Sequence, residues 1–121
     1  MAVLNLLPRK EFEITTDSGE VVKGQYALWS VKRFCDRKGL TLSKLADAMS
    51  EANVTFDDVT LLILCAVEYS CRKEKKPFTY TDIDCCDWIE QLGGLESENF
   101  TNLQKHAASE DKGEAEKKNQ I

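Results

Sequence analysis

Between Val54 and Lys76 the chain reads VTFDDVTLLILCAVEYSCRKEKK, and from Val59 to Cys71 apolar side chains fall almost all the way round a helical wheel. A helix with one wet face shows a single apolar stripe, whereas one apolar on nearly every side has to be covered from several directions. The ends of the run are equally specific. Thr55 suits an N-cap, Asp57 and Asp58 fall in the first turn, and the basic cluster Arg72–Lys76 closes the far end. Charges of those signs complement the helix dipole at both termini. On the narrow polar strip, Glu68 and Arg72 stand four apart and form an ion pair. The run predicts a central helix over about residues 56–75. The rest of the chain must supply its cover.

Upstream, EFEITT at residues 11–16 alternates polar and apolar side chains, DSGE at 17–20 supplies turn chemistry, and VVKGQY follows as a second β-rich run. That pattern predicts a hairpin over residues 11–26. A lone hairpin is marginal in water, so this one lies on a helix or gains a partner strand. A helix is expected over residues 27–38, with Leu28, Val31, Phe34, Cys35 and Lys38 on one side and Gly39 as the left-handed stop. A further helix over 43–52 carries Leu45, Ala48, Met49 and Ala52 at helical spacing. After Pro77, Thr81 and Asp84 approximate a capping box that opens a helix over 81–92, which buries Cys85, Trp88, Ile89 and Leu92 and stops at Gly93 and Gly94.

The two ends carry weaker patterns. Met1–Pro8 reads as an arm whose Val3, Leu4, Leu6 and Leu7 pack or bind something. Beyond Leu95 the apolar content falls, and residues 96–121 read as a weakly structured acidic tail with at most a short helix through Phe100 and Leu103. The expected fold is α+β and mainly α: an N-terminal hairpin, then a bundle of about four helices. One globular domain would span residues 1–95, followed by a flexible charged tail.

Composition excludes several classes of function. A chain of 121 residues suits one domain, and 42% apolar with 31% charged residues is the balance of a soluble globule. The formal charge of −5 works against a nucleic-acid partner, because neutralising phosphates needs a basic surface. No stretch approaches the roughly 18–20 apolar residues of a membrane span. The opening MAVLNLLPRK is too short and too lightly charged for a secretory signal, so a cytoplasm is expected.

Catalytic and cofactor signatures are equally scarce. The five cysteines, Cys35, Cys65, Cys71, Cys85 and Cys86, are odd in number and lack CxxC spacing, and they read as reduced core residues. No metal or other cofactor is expected from them. His106 has no paired nucleophile in view and reads as a solvated surface residue, while Asp82, Asp84 and Asp87 lack the spacing of a calcium loop. No phosphate-binding, dinucleotide, nucleophile-elbow or zinc-protease motif occurs, so no enzyme and no catalytic residue is expected. The stretch LTLSKLADAMSEANVTFDDVTLLIL superficially resembles a helix-turn-helix. Its second helix would offer Asp57, Asp58 and a solid apolar run to base edges, which is the wrong chemistry.

What is left is binding. Lys32, Arg33 and Arg37, with Lys38, form a basic face that is either simply solvated or meets an acidic partner. Trp29 lies off the apolar stripe of its helix, so it either sits under the hairpin or touches a partner. Trp29, Lys32, Arg33 and Arg37 are therefore the candidate partner-binding residues. An exposed hairpin edge would also allow self-association into a homo-oligomer.

The succession of elements resembles the tail assembly chaperones of long-tailed bacteriophages. A segment similar to QYALWSVKRFCDRKGLTLSKL precedes, in that family, one similar to FDDVTLLILCAVEYSCRKEKKPFTYTDIDCCDWIEQLGG. The resemblance spans roughly Glu11–Gly94 and is carried by patterns of residue class; the richness in cysteine is a departure. It implies a non-enzymatic protein of the host bacterial cytoplasm that binds the long tape measure protein, contacts the tail tube protein and is absent from the mature virion. It also implies a minor longer product made by ribosomal frameshifting, and Lys117, Lys118 and Asn119 can be encoded as AAA AAA AAC, which contains a slippery heptamer. Another small phage morphogenesis or adaptor protein is the next reading, and a DNA-binding regulator the third.

Overall fold

Cover for the central helix comes from a sheet and from other helices on both sides of it in the chain. The computed structural model describes residues 2–50 and 52–108. In chain order its elements are β1 (Val3–Leu7), β2 (Glu11–Thr15), β3 (Val21–Gln25), α1 (Leu28–Lys38), α2 (Leu42–Ala48), α3 (Phe56–Lys73), α4 (Asp82–Gln91) and α5 (Glu98–Ala108). The strands form one antiparallel sheet in the order β1-β2-β3. The fold is α+β and mainly α, as the sequence predicts. The expected hairpin, however, is a three-stranded sheet, and among the described residues the helices number five.

The extra strand is the segment expected to be an arm. β1 pairs with β2 in the register Leu4↔Ile14 and Leu6↔Phe12, which places these side chains on one face. Its turn is closed by Arg9 and Lys10, both left-handed at φ 62 and 60, with the Glu11 N–H donating to Pro8 O at 3.3 Å. Neither is a residue that favours that conformation, which is why the turn has no signature in the sequence.

The β2–β3 hairpin follows the expected alternation. Phe12, Ile14 and Val22 are buried on the inner face, where Gly24 stands opposite Phe12. The Phe12 ring covers Gly24 so closely that a Cβ there would overlap it. Each side chain thus explains the other: the ring needs a bare backbone, and the glycine gains a hydrophobic lid.

α3 carries Val59, Leu62, Ile63, Cys65, Ala66 and Val67 into the core formed with that face. Its capping box is reciprocal: the Asp58 N–H donates to Thr55 Oγ1 and the Thr55 N–H to Asp58 Oδ2, both at 3.1 Å. α4 opens with the same device, built from Thr81 and Asp84. Gly39 ends α1 at φ 70, as expected of a left-handed stop. The stripe of α1 is only partly as predicted. Phe34 and Cys35 are buried, but Leu28 is 76% exposed. Ser30 turns inward in its place, its hydroxyl donating to Gln25 O at 2.6 Å.

α2 is shorter than the expected 43–52 and buries no residue fully. Ser50 Oγ and Asn53 Nδ2 both donate to Asp47 O, at 2.9 Å each, and these local bonds compete with the next helical turn.

Part of the segment expected to be tail, Glu98–Ala108, is helix α5. α5 buries Phe100 and Leu103 in the same core, so the domain extends through Ala108. Its ties are polar as well: Tyr26 Oη donates to Leu103 O at 3.2 Å, and Asn99 Nδ2 donates to Leu92 O at 3.0 Å. Residues 109–121, which hold the rest of the expected tail and the Lys117–Asn119 stretch, lie outside the described residues.

Candidate functional site

Where α1 lies along α3, Glu68 is buried at 4% exposure. A carboxylate taken out of water costs several kcal/mol unless it is well paired. Here it meets three guanidinium groups. Arg72, one turn on, donates from Nε at 3.2 Å and Nη2 at 3.1 Å to Oε2, as the sequence spacing predicts. Arg33 Nε at 3.4 Å and Arg37 Nη2 at 3.6 Å approach Oε1 from α1. The carboxylate therefore bridges the two helices rather than decorating one polar strip.

Trp29 joins this cluster from α1. It is half-buried and stacks on Tyr69 of α3, with centroids 5.9 Å apart and planes 29° apart. The guanidinium carbons of Arg72 and Arg33 stand 5.4 and 6.0 Å from its ring centroid, close enough for cation–π attraction. Trp29, Arg33 and Arg37 are thus brought together around Glu68, and Lys32 stays exposed on the same helix. The Arg33 and Arg37 side chains keep 36% and 44% of their surface, so both still face the outside while part of their charge is matched within.

Next to Arg37 in the chain, Lys38 places its Nζ 2.7 Å from Oδ1 of the buried Asp58. Burial on its own would raise the Asp58 pKa, but the contacts from Lys38 and Thr55 outweigh it and hold the carboxyl below its usual range. Among the described residues no hydrogen bond of good angle reaches Oδ1, so the Lys38 ammonium is its counter-charge.

Beside the Glu68 cluster lies a cleft of about 330 Å³ between α3 and the segment that leads into α4. Leu61, Leu64 and Cys65 form its floor, and Phe78 and Tyr80 its wall. Arg37 and Glu68 also line it, as does Asp82 of α4. The wall is placed by local chemistry. α3 ends with Lys75 in the left-handed region at φ 58 and the Lys76 N–H donating to Cys71 O at 2.8 Å, after which Pro77 prevents continuation. The chain returns along α3, and edge contacts of Phe78 with Tyr80 at 6.1 Å and Tyr80 with Trp88 at 5.0 Å hold the aromatic row. Tyr80 Oη adds a hydrogen bond to Glu20 Oε2 at 2.9 Å, and burial first, then this carboxylate, push its pKa up to about 12. The cleft is a built feature with anchored walls.

Burial pushes the Cys65 thiol up to about 11, against the opposing pull of Arg37 and Arg33, so the floor offers no thiolate at neutral pH. Burial likewise raises Cys85 to about 12 and lifts Cys35 and Cys71. All five cysteines are free thiols. Among the described residues no three His, Cys, Asp or Glu side chains converge as metal ligands would, and no helix is long and apolar enough to cross a membrane.

His106 departs from the solvated role expected of it. Its Nε2 lies 3.1 Å from Leu7 O and 2.8 Å from Glu11 O. Both partners are acceptors, so this nitrogen carries the proton and the ring fastens α5 to the β1–β2 turn.

Comparison with protein families, with curated proteins and with solved structures returns no match for this chain. The residues that sequence reasoning missed are Leu61, Leu64, Phe78 and Tyr80. A signal for the last two exists: in PFTYT, two aromatics alternate with threonine immediately after a helix-ending proline. Such alternation places both rings on one side of an extended segment.

Proposed function

We propose that this chain is a non-enzymatic tail assembly chaperone of a long-tailed phage, which binds and solubilises the tape measure protein and helps recruit tail tube subunits. The single observation that carries this reading is the cleft between α3 and Phe78–Tyr80, with Leu61 and Leu64 in its floor, two aromatic rings in its wall, and Arg37, Glu68 and Asp82 at its border. A long amphipathic client exposes apolar stripes before its tube forms, and helix-in-groove docking covers such a stripe. The element order from the hairpin to the glycines after α4 supports the same reading through its resemblance to that family.

The test is co-expression with the tape measure protein encoded near its gene. Co-purification and a larger soluble fraction of the client are expected. A client that neither co-purifies nor gains solubility overturns the proposal. Gene order sharpens it, since a tube gene upstream and a very long reading frame downstream belong to the chaperone, whereas another phage adaptor needs neither. DNA reading is disfavoured: α3 would have to enter the groove, yet its first turn carries Asp57 and Asp58 and its body is covered by the sheet.

A further inference from the structure

We infer that the free edge of β1 pairs antiparallel with β1 of a second copy of this chain, about a twofold axis at Asn5, and joins two three-stranded sheets into one. This pairing is independent of what the cleft beside α3 binds. The hydrogen-bond phase of the sheet decides which groups are open. The Thr16 N–H donates to Glu20 O at 2.8 Å and the Tyr26 N–H to Lys10 O at 3.1 Å, so the even-numbered residues of β2 face β3. Glu11, Glu13 and Thr15 therefore face β1 and bond Leu7, Asn5 and Val3. Leu4 and Leu6 turn their N–H and C=O groups to the outer edge, where no backbone hydrogen bond from another described element reaches them. The opposite edge of the sheet is blunted. There β3 carries Lys23, tied to Glu74 at 3.3 Å, and Gln25 O already accepts from Ser30. β1, with the sequence VLNLL, has no charge, proline or bulge.

The residues of β1 select a second copy and a single register. Pairing centred on Leu6 sets Leu4 against Pro8, which has no N–H to give. Pairing centred on Leu4 sets Leu6 against Ala2, which is 5% exposed and already covered. Centring on Asn5 confines the ladder to Val3–Leu7, where Leu4 and Leu6 of one chain meet Leu6 and Leu4 of the other through four hydrogen bonds. Side chains match in the same register. On the outer face the row runs Lys23, Glu13, Asn5, then Asn5, Glu13 and Lys23 of the second copy. Opposite charges are neighbours in it, and the two amides at the axis bond each other. Val3, 52% exposed, gains Leu7 of the second copy, and on the inner face Leu6, 40% exposed, gains its Leu4. An extended segment of another protein offers the hydrogen bonds but not this match on both faces.

Sedimentation equilibrium of the full-length protein tests the pairing. A reversible monomer–dimer equilibrium is expected, with a dissociation constant between about 10 µM and 1 mM. Asn5→Asp sets two carboxylates against each other at the axis, on an exposed position, and should weaken the dimer at least about tenfold with an unchanged melting temperature. Val21→Lys, on the blunted edge, should leave the equilibrium within about twofold. A crosslink reads the register directly. The two Asn5 residues form a non-hydrogen-bonded pair with Cα atoms about 4.5 Å apart, within disulfide reach, whereas the two Val3 residues stand more than about 13 Å apart. Under mild oxidant Asn5→Cys should give a disulfide-linked dimer well above the level of the unaltered chain, and Val3→Cys should not. A chain that stays monomeric to 1 mM, a dimer indifferent to Asn5→Asp, or crosslinking of Asn5→Cys no greater than that of Val3→Cys overturns the inference.

Discussion

On the side of α3 that faces the sheet, Phe12 and Ile14 are 0% exposed and Val22 1%, whereas along the cleft Leu61 and Leu64 are only half covered. Both sides carry apolar side chains in the sequence. The difference lies in what the rest of the chain brings to them. The sheet lays a continuous inner face on one side, while the other receives a short connecting segment whose rings form a wall and leave the floor open. A helix apolar all round thus stands in two settings, once as the centre of a core and once as the floor of a cleft. Stability and partner binding should separate along this line.

The largest expected effect is on the closed side. Phe12→Ala removes a fully buried ring and uncovers Gly24, and it should cost about 3–5 kcal/mol by chemical denaturation. A loss below about 1 kcal/mol would mean the sheet is not the chief cover of α3. Next comes the seam between the two sides. Glu68→Gln leaves three guanidinium groups around a neutral amide, and about 2 kcal/mol of destabilisation is expected, because the Arg33, Arg37 and Arg72 side chains keep partial access to water. Its signature is a weakened α1–α3 contact, read as a red-shifted Trp29 emission as that ring leaves Tyr69.

Acid should attack the same seam at Asp58. The folded-state pKa of that carboxyl is depressed, so its contribution is present above the ordinary carboxylate range and is lost as pH falls below about 4. Asp58→Asn should be less stable at neutral pH and show a flatter acid limb in its melting temperature. Parallel acid limbs would show that Asp58 contributes nothing to the pH dependence. The smallest effect has the opposite sign. Lys75→Gly relieves a left-handed backbone at the end of α3 and should stabilise the chain by up to about 1 kcal/mol, seen as a small rise in melting temperature.

What could be read from the sequence followed the same division. The β2–β3 hairpin, the Thr55 N-cap of α3, the capping box of α4 and the Gly39 stop were legible, because each is set by residues within a few positions of one another. β1 was hidden by a turn closed without glycine or asparagine. α5 was legible as a short helix through Phe100 and Leu103, but its docking was not, because only those two side chains carry it into the core. The Trp29–Tyr69 stack and the His106 latch join positions far apart in the chain. The cleft was the least legible of all. Its floor looked like core, and its wall looked like a cap region before α4.

The most direct measurement is the behaviour of Leu64→Lys during co-expression with the tape measure protein. A lysine at this half-covered position can run its stem along the floor and keep its charge in water, so the fold should hold within about 1 kcal/mol while the cleft becomes hostile to an apolar stripe. The expected result is an unchanged melting temperature together with loss of the co-purified client. Retention of the client by a folded Leu64→Lys chain would contradict the assignment of the open side of α3 to a partner.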